Sequence, residues 1–225
     1  MALNLVMFGP PGAGKGTQAS KLEQSRNIPQ ISTGAILREA VQADTEFGRQ
    51  AKAVMDRGEL VGDAIIVGIV RERLARDDTR GGFILDGFPR TVAQAVALDE
   101  ILIGLGPLIV VELGVPGREL VQRLSRRRVC RQCGATCGAA GGEAEVPCAS
   151  CGGTLEQRSD DREEVVRERL RVYREQTEPV VAFYQDRPSF LSVDGNRSAE
   201  AVQAAIGAAI ETAEVSALSQ STAMS

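Results

Sequence analysis

Apolar residues along this chain fall into short, nearly unbroken runs, set between longer stretches with a helical period. The runs are Leu3–Phe8, Ile28–Ile31, Phe83–Asp86, Leu108–Leu113 and Phe190–Val193. A strand that is apolar at consecutive positions has both faces buried, as strands of a parallel sheet do. Between the runs, Ser32-Thr33-Gly34 opens a helix carried by Ala35–Ala43, with Thr33 suited to the N-cap. A second helix covers Glu46–Arg57 and stops at Gly58. A third covers Asp63–Arg76, with Ile65, Ile66, Ile69, Val70 and Leu74 on one face. Arg118–Arg128 predicts a helix with Arg123 and Arg127 four apart on one face. Asp161 and Glu164 form a capping pair ahead of a long helix, which Pro179 kinks or ends. The last helix is expected over Ser198–Ala213, and the small, polar stretch Ser216–Ser225 as a disordered tail. Strands alternating with helices predict an α/β fold, a five-stranded parallel sheet flanked by helices.

Composition narrows the picture. Of 225 residues, 43% are hydrophobic, enough for a sizeable core. The net charge of −4 gives no footprint for nucleic acid. No apolar run is long enough to span a membrane, and Met1–Asn4 lacks the charged start of a signal peptide, so a cytoplasmic protein is expected. There is no histidine, which excludes any mechanism needing an imidazole base. The chain has three lysines, Lys15, Lys21 and Lys52, and every other cation is arginine.

One of those lysines sits in Gly9-Pro10-Pro11-Gly12-Ala13-Gly14-Lys15-Gly16-Thr17, between the first strand and a helix. Strand, glycine-rich loop and helix are the setting of a phosphate-binding P-loop. Glycines let backbone N–H groups wrap the phosphates, the helix N-terminus adds partial positive charge, and Lys15 adds a full one. Where the usual motif has a metal-binding Ser or Thr this chain has Gly16, with the hydroxyl one residue later at Thr17. Asp86 ends the third run, at the strand edge where open parallel sheets bind ligands, and is placed to hold the magnesium shell. Arg90, after Gly87-Phe88-Pro89, is suited to fork onto a phosphate, and Gln94 to hydrogen-bond a base edge.

Cys130-x-x-Cys133 and Cys148-x-x-Cys151 are separated by 14 residues, one short of the common range for paired zinc knuckles. Glycine follows each second cysteine, at Gly134 and Gly152, where a knuckle tends to need a positive φ. Four thiolates make a closed, structural zinc shell. The segment has too few apolar residues to build its own core, and a metal substitutes for one. Cys137 is left over as a free thiol.

Taken together, GPPGAGKGT at 9–17, ISTGAILR at 31–38, LDGFPRT at 85–91, RLSRRRVC at 123–130, the four cysteines and RSDDREEVVRERL at 158–170 closely resemble adenylate kinases of the long-lid, zinc-binding form. The resemblance covers about residues 3–214. It implies a P-loop core from 1–31, 62–125 and 162–215, a helical nucleoside monophosphate lobe at 32–61 and a zinc-ribbon-like lid at 126–161. It implies reversible transfer of the γ-phosphoryl of Mg·ATP to AMP, giving two ADP, by a monomer with Mg²⁺ and a structural Zn²⁺. Gly12, Ala13, Gly14, Lys15, Gly16, Thr17, Arg123, Arg127 and the backbone at Arg197 would bind ATP. Thr33, Arg38, Glu59, Leu60, Val61, Gly87, Phe88, Pro89, Arg90, Gln94, Arg158 and Arg169 would bind AMP. Lys15, Arg90, Arg127, Arg158 and Arg169 would act on the transferring group. A kinase for another nucleoside monophosphate, and a nucleotide-dependent zinc-ribbon binding module, remain as rival readings, since base selection does not follow from charge or spacing.

Overall fold

The computed structural model describes residues 2–137 and 147–222. Its strands are β1 (Leu3–Phe8), β2 (Gln30–Ser32), β3 (Gly82–Asp86), β4 (Leu108–Gly114), β5 (Arg128–Cys130), β6 (Thr136–Cys137), β7 (Leu155–Glu156) and β8 (Phe190–Asp194). Its helices are α1 (Lys15–Arg26), α2 (Thr33–Gln42), α3 (Glu46–Met55), α4 (Asp63–Leu74), α5 (Val92–Ile101), α6 (Gly117–Arg126), α7 (Glu163–Val172), α8 (Glu178–Tyr184) and α9 (Ala199–Thr222).

Five strands form the expected parallel sheet, in the order β2-β3-β1-β4-β8. β1 lies at the centre, and alternate residues feed two separate apolar layers. Leu3, Leu5 and Met7 join one with Ile84, Val111, Leu120, Val166 and Ile206. Val6 and Phe8 join the other with Leu85, Val70, Leu98, Val180 and Tyr184. Asn4 is the polar interruption, and its buried amide donates to the carbonyls of Leu105 and Pro107 at 2.9 and 3.4 Å. The strand order reverses at β1, so the crevice beyond its C-terminal end is where a ligand belongs.

Several expectations are corrected. β2 begins at Gln30 because Pro29 has no N–H for the ladder, although its carbonyl accepts Ile84 N–H at 3.0 Å. On α4 the buried stripe is Ile66, Val70 and Leu74, spaced by four, and Ile65 is 44% exposed. Pro179 starts α8 in its first turn, where a missing N–H costs nothing. The break comes earlier, as a wide turn over Tyr173–Thr177 in which Glu178 N–H reaches the carbonyl of Tyr173. α9 continues through Thr222, past Ala213, since the residues beyond Gly207 include no glycine or proline to stop it. That helix takes up part of the tail expected from Ser216 onward, and residues 223–225 lie outside the described residues.

Candidate active site

β1 ends at Phe8 and the chain turns sharply into α1. Gly9 has φ 138°, and a Cβ there would lie 2.7 Å from the carbonyl oxygen of Leu113 on β4, so the loop can pass this close only with glycine. Lys15 reaches back across the loop, donating to the carbonyls of Gly9 at 2.7 Å and Pro10 at 3.0 Å. Burial lowers its pKa to about 8; Asp86 pulls it upward, and Arg90, Arg169 and Arg127 push it down. A Cβ on Gly16 would lie 3.4 Å from Asp86 Oδ2, so the missing side chain brings that carboxylate against the start of α1. Asp86 is reached by Gln30 Nε2 at 3.5 Å. Thr17, the displaced hydroxyl of the motif, is exposed. The donor set at this edge, one carboxylate beside a phosphate loop, suits Mg²⁺ carried by a nucleotide.

Facing the loop is a paired cluster of arginines and aspartates. Arg127 grips Asp161 with two parallel bonds, one at 2.7 Å from Nε. Arg158 grips Asp160 in the same way, at 2.8 Å from Nε. Arg169 donates to the Asp160 carbonyl at 2.9 Å and to Asp161 Oδ1 at 3.1 Å. Burial alone would raise the Asp160 carboxyl, but the guanidiniums of Arg169 and Arg158 hold it well below the usual carboxylate range. Arg38 and Arg169 are each lowered to about 10, by burial first and then by like charges that include Arg158. Lys15, Arg38, Arg90, Arg127, Arg158 and Arg169 thus converge on Asp86, Asp160 and Asp161, two cations to each anion. Burial and mutual repulsion leave that cluster short of negative charge.

Two cavities open onto it. The first, about 590 Å³, is lined by apolar Leu37, Met55, Leu60 and Ile66 and by cationic Arg38, Arg90, Arg158 and Arg169, with Thr33, Glu59, Val61, Gly87 and Gln94 also on its walls. The second, about 520 Å³, runs from Gly9, Pro11 and Lys15 to Pro89, Tyr173 and Thr177. Both share Gly87, Arg90 and Arg169. Arg90 is anchored by its Nε to the Gly87 carbonyl at 2.8 Å, and its own carbonyl accepts from Thr177 at 3.1 Å. Arg123 points elsewhere along the same edge, to the Gly195 carbonyl at 3.0 Å and Asn196 Oδ1 at 3.3 Å, beside the exposed Arg197.

The two cavities bring together Lys15, Thr33, Arg38, Glu59, Leu60, Val61, Gly87, Pro89, Arg90, Gln94, Arg158 and Arg169, whereas Thr17, Arg123 and Arg197 line neither. Phe88 differs, its ring being 1% exposed in the core. Thr33 is not the N-cap. Ser32 accepts the Ala35 N–H, which frees the buried Thr33 hydroxyl to donate to the Gly87 carbonyl at 2.8 Å. Arg127 is not on a helix face with Arg123. α6 ends at Arg126 and Arg127 is extended, which lets it swing to Asp161. Asp161 makes no cap for α7, because its carboxylate is committed to arginines. Sequence reasoning missed Asp160 and Asp161 as site residues. The signal was there in two adjacent carboxylates flanked by Arg158 and Arg162. It also missed Tyr173 and Thr177, which only the wide turn brings to the cavity.

Cys130, Cys133, Cys148 and Cys151 meet in the lobe built on the antiparallel sheet β6-β5-β7. Their sulfurs all lie within 4.8 Å of one another, with Cys130–Cys151 at 3.5 Å and Cys133–Cys148 at 3.6 Å. Sulfurs 2.3 Å from a tetrahedral metal stand about 3.8 Å apart, whereas a disulfide needs about 2.05 Å. The two pairs adopt one turn twice. Gly134 N–H bonds the Cys130 carbonyl and Gly152 N–H that of Cys148, at 3.0 and 2.7 Å. Cys130 N–H bonds Ala135 and Cys148 N–H bonds Gly153, at 3.0 and 2.8 Å. Gly134 and Gly152 have φ 70° and 73°, as the motif led us to expect. The Ser150 N–H first, then that of Cys151, helps lower the Cys148 thiol to about 6, favouring the ligating thiolate. These residues fit a zinc ion. Residues 138–146 of this lobe lie outside the described residues.

A family model described as adenylate kinase matches residues 7–189. The adenylate kinase of Archaeoglobus fulgidus is 51% identical over 213 residues, 93% of this chain and 98% of its own length. That of Geobacter sp. (strain M21) is 51% identical over 212 residues, covering 92% and 99%. That of Bacillus licheniformis is 48% identical over 208 residues, covering 91% and 96%. With similarity of this depth along nearly its whole length, the chain belongs to the adenylate kinase family.

Proposed function

We propose that the two cavities are the two nucleotide subsites of one reaction, in which the γ-phosphoryl of Mg·ATP passes to AMP and two ADP result. The single observation that carries this reading is that both cavities share Arg90 and Arg169, in a cluster short of anions. The phosphate loop and Lys15 side takes the donor, with Arg123 and the turn at Arg197 for its adenine. The cleft lined by Thr33, Arg38, Leu60, Val61 and Gln94 takes AMP, its base among the apolar side chains and its phosphate toward the arginines.

The chemistry asks little of the protein beyond position and charge. A phosphate oxygen of AMP, already anionic, forms a bond to the γ-phosphorus as the bond from that phosphorus to the β–γ bridging oxygen breaks. No base is needed, and the chain offers no histidine to act as one. Lys15, Arg90, Arg127, Arg158 and Arg169 hold the two nucleotides in line and meet the charge spread over the transferring group. Asp160 and Asp161 keep three of those arginines oriented before substrate arrives. Asp86 would hold Mg²⁺ with the nucleotide, and the ion would neutralise charge on the β and γ phosphates. The four cysteines would hold zinc as a structural ion.

In the same reading residues 32–61 and 126–161 are lobes that close over the nucleotides and exclude water. Both subsites are built from one chain, which supports a monomer. Five cysteines with no disulfide among them support a reducing, cytoplasmic setting. The test is ADP formation from Mg·ATP with AMP, UMP, CMP, GMP or no acceptor. ADP made only with AMP, two per ATP consumed, is the expected result. Transfer to none of the acceptors from folded, zinc-loaded protein overturns the assignment.

A further inference from the structure

The amide of Gln94 is held at both ends. Its Oε1 accepts the backbone N–H of Arg90 at 2.7 Å, and its Nε2 donates to Asp63 Oδ1 at 2.7 Å. The other oxygen of Asp63 accepts from the Thr91 hydroxyl at 2.9 Å, and that hydroxyl accepts the Gln94 backbone N–H at 3.2 Å. The bonds close a ring at the start of α5. Turning the amide over would set nitrogen against the Arg90 N–H and oxygen against the Asp63 carboxylate, donor to donor and acceptor to acceptor. Gln94 is 2% exposed, so neither end has water as an alternative. One orientation is therefore enforced by its partners. Asp63, half-buried in the first turn of α4, holds the amide from outside the wall of the cleft that Gln94 lines.

After these bonds the amide keeps one N–H and one lone pair on Oε1. A donor beside an acceptor matches a ring edge that presents an acceptor beside a donor. Adenine has that edge in N1 and its 6-amino group. Hypoxanthine reverses it, with N1–H and a 6-oxo group. We propose that Asp63, assisted by Thr91, is a positioning residue for base selection, its carboxylate fixing the Gln94 amide in the orientation that takes a 6-aminopurine and rejects a 6-oxopurine. The inference rests on the reading that Gln94 faces the acceptor base.

Steady-state kinetics with AMP and with inosine monophosphate test it, on the wild type, Asp63→Ala, Asp63→Asn and Gln94→Leu, each checked by thermal melting. In Asp63→Ala, KM for AMP rises while kcat holds, and the AMP-to-IMP ratio of kcat/KM falls about tenfold, the order expected for losing one buried bond to a charged group. Asp63→Asn keeps an acceptor for Nε2 and recovers most of the ratio. An Asp63→Ala variant that is unchanged, or that loses both substrates equally, overturns the proposal. Gln94→Leu separates the two layers. If it leaves the ratio unchanged, the placement of the base against Gln94 fails and the proposal falls with it. If it collapses the ratio while Asp63→Ala does not, only the role of Asp63 fails. Should Asp63→Ala not fold, Thr91→Val carries the test, with a smaller fall in the ratio expected and an unchanged ratio overturning the proposal.

Discussion

The central sheet and the cysteine lobe differ in what lies beneath their backbones. Leu5, Val6, Ile84, Leu85, Val110 and Val111 are fully buried, with apolar side chains stacked above and below the sheet. In the lobe, Val129 and Leu155 are only half-buried, and the buried side chains next to them are Cys130 and Cys148. A three-stranded sheet this short cannot gain enough by burial to hold itself together. Its backbone instead converges on four sulfurs. If those sulfurs hold the proposed zinc, one region is held by area removed from water and the other by ligation, so different treatments should unfold each.

The largest effect is expected from metal removal. A strong chelator under reducing conditions should release the lobe, since structural zinc supplies on the order of 10 kcal/mol to units of this kind. Hydrogen exchange at Arg128–Cys130 and Leu155–Glu156 should become fast while β1 and β4 stay protected. Unchanged protection in the lobe would show that burial suffices there after all. The converse break is Leu85→Ala, at a fully buried position between the sheet and α5. It should cost about 2–5 kcal/mol in global unfolding and leave metal content at one per chain. Loss of metal before unfolding would mean that the two regions are one cooperative unit.

A third, intermediate case lies where the sheet meets the phosphate loop, and pH reads it. Lys15 has a pKa of about 8 in the folded chain against 10.5 as its ordinary value. Between those values the unfolded chain binds the proton and the folded chain does not, so stability rises with pH. The penalty for burying the ammonium is fully present below pH 8 and is relieved by pH 10.5, a change of about 3 kcal/mol. The stability difference between wild type and Lys15→Met should show that slope, and a flat difference would place the ammonium in water. The smallest effect is Ile65→Ala on the exposed side of α4, expected within about 0.5 kcal/mol by chemical denaturation. A larger loss would mean that this face is covered.

The sheet was legible because its strands are nearly unbroken apolar runs, a pattern that needs no knowledge of partners. The cysteine turns were legible for a related reason. Glycine after each second cysteine encodes a local backbone angle, and Gly134 and Gly152 adopt it. What stayed hidden depends on distant choices. Arg127 leaves its helix to meet Asp161, 34 residues on, and Asp161 abandons a local cap for that bond. Thr33 yields the cap to Ser32 because the Gly87 carbonyl is within reach. Polar side chains with two uses are settled by tertiary neighbours, and pattern reading sees only the near one. The adjacent carboxylates Asp160 and Asp161 stood out between Arg158 and Arg162, but which arginines they aim depends on contacts that only the fold makes.

The place of β1 has a consequence for how the molecule is made. Of the five strands of the sheet it is made first, yet its neighbours in the finished sheet begin at Gly82 and Leu108. At roughly 5–20 residues per second, synthesis of the intervening chain takes on the order of 4 to 16 seconds. Throughout that interval a strand whose six residues are all buried in the finished fold, already joined to its phosphate loop, has no partner on either edge. Nascent chains halted before Gly82 should therefore be the ones that aggregate or engage a holdase, and those extended past Gly114 should not.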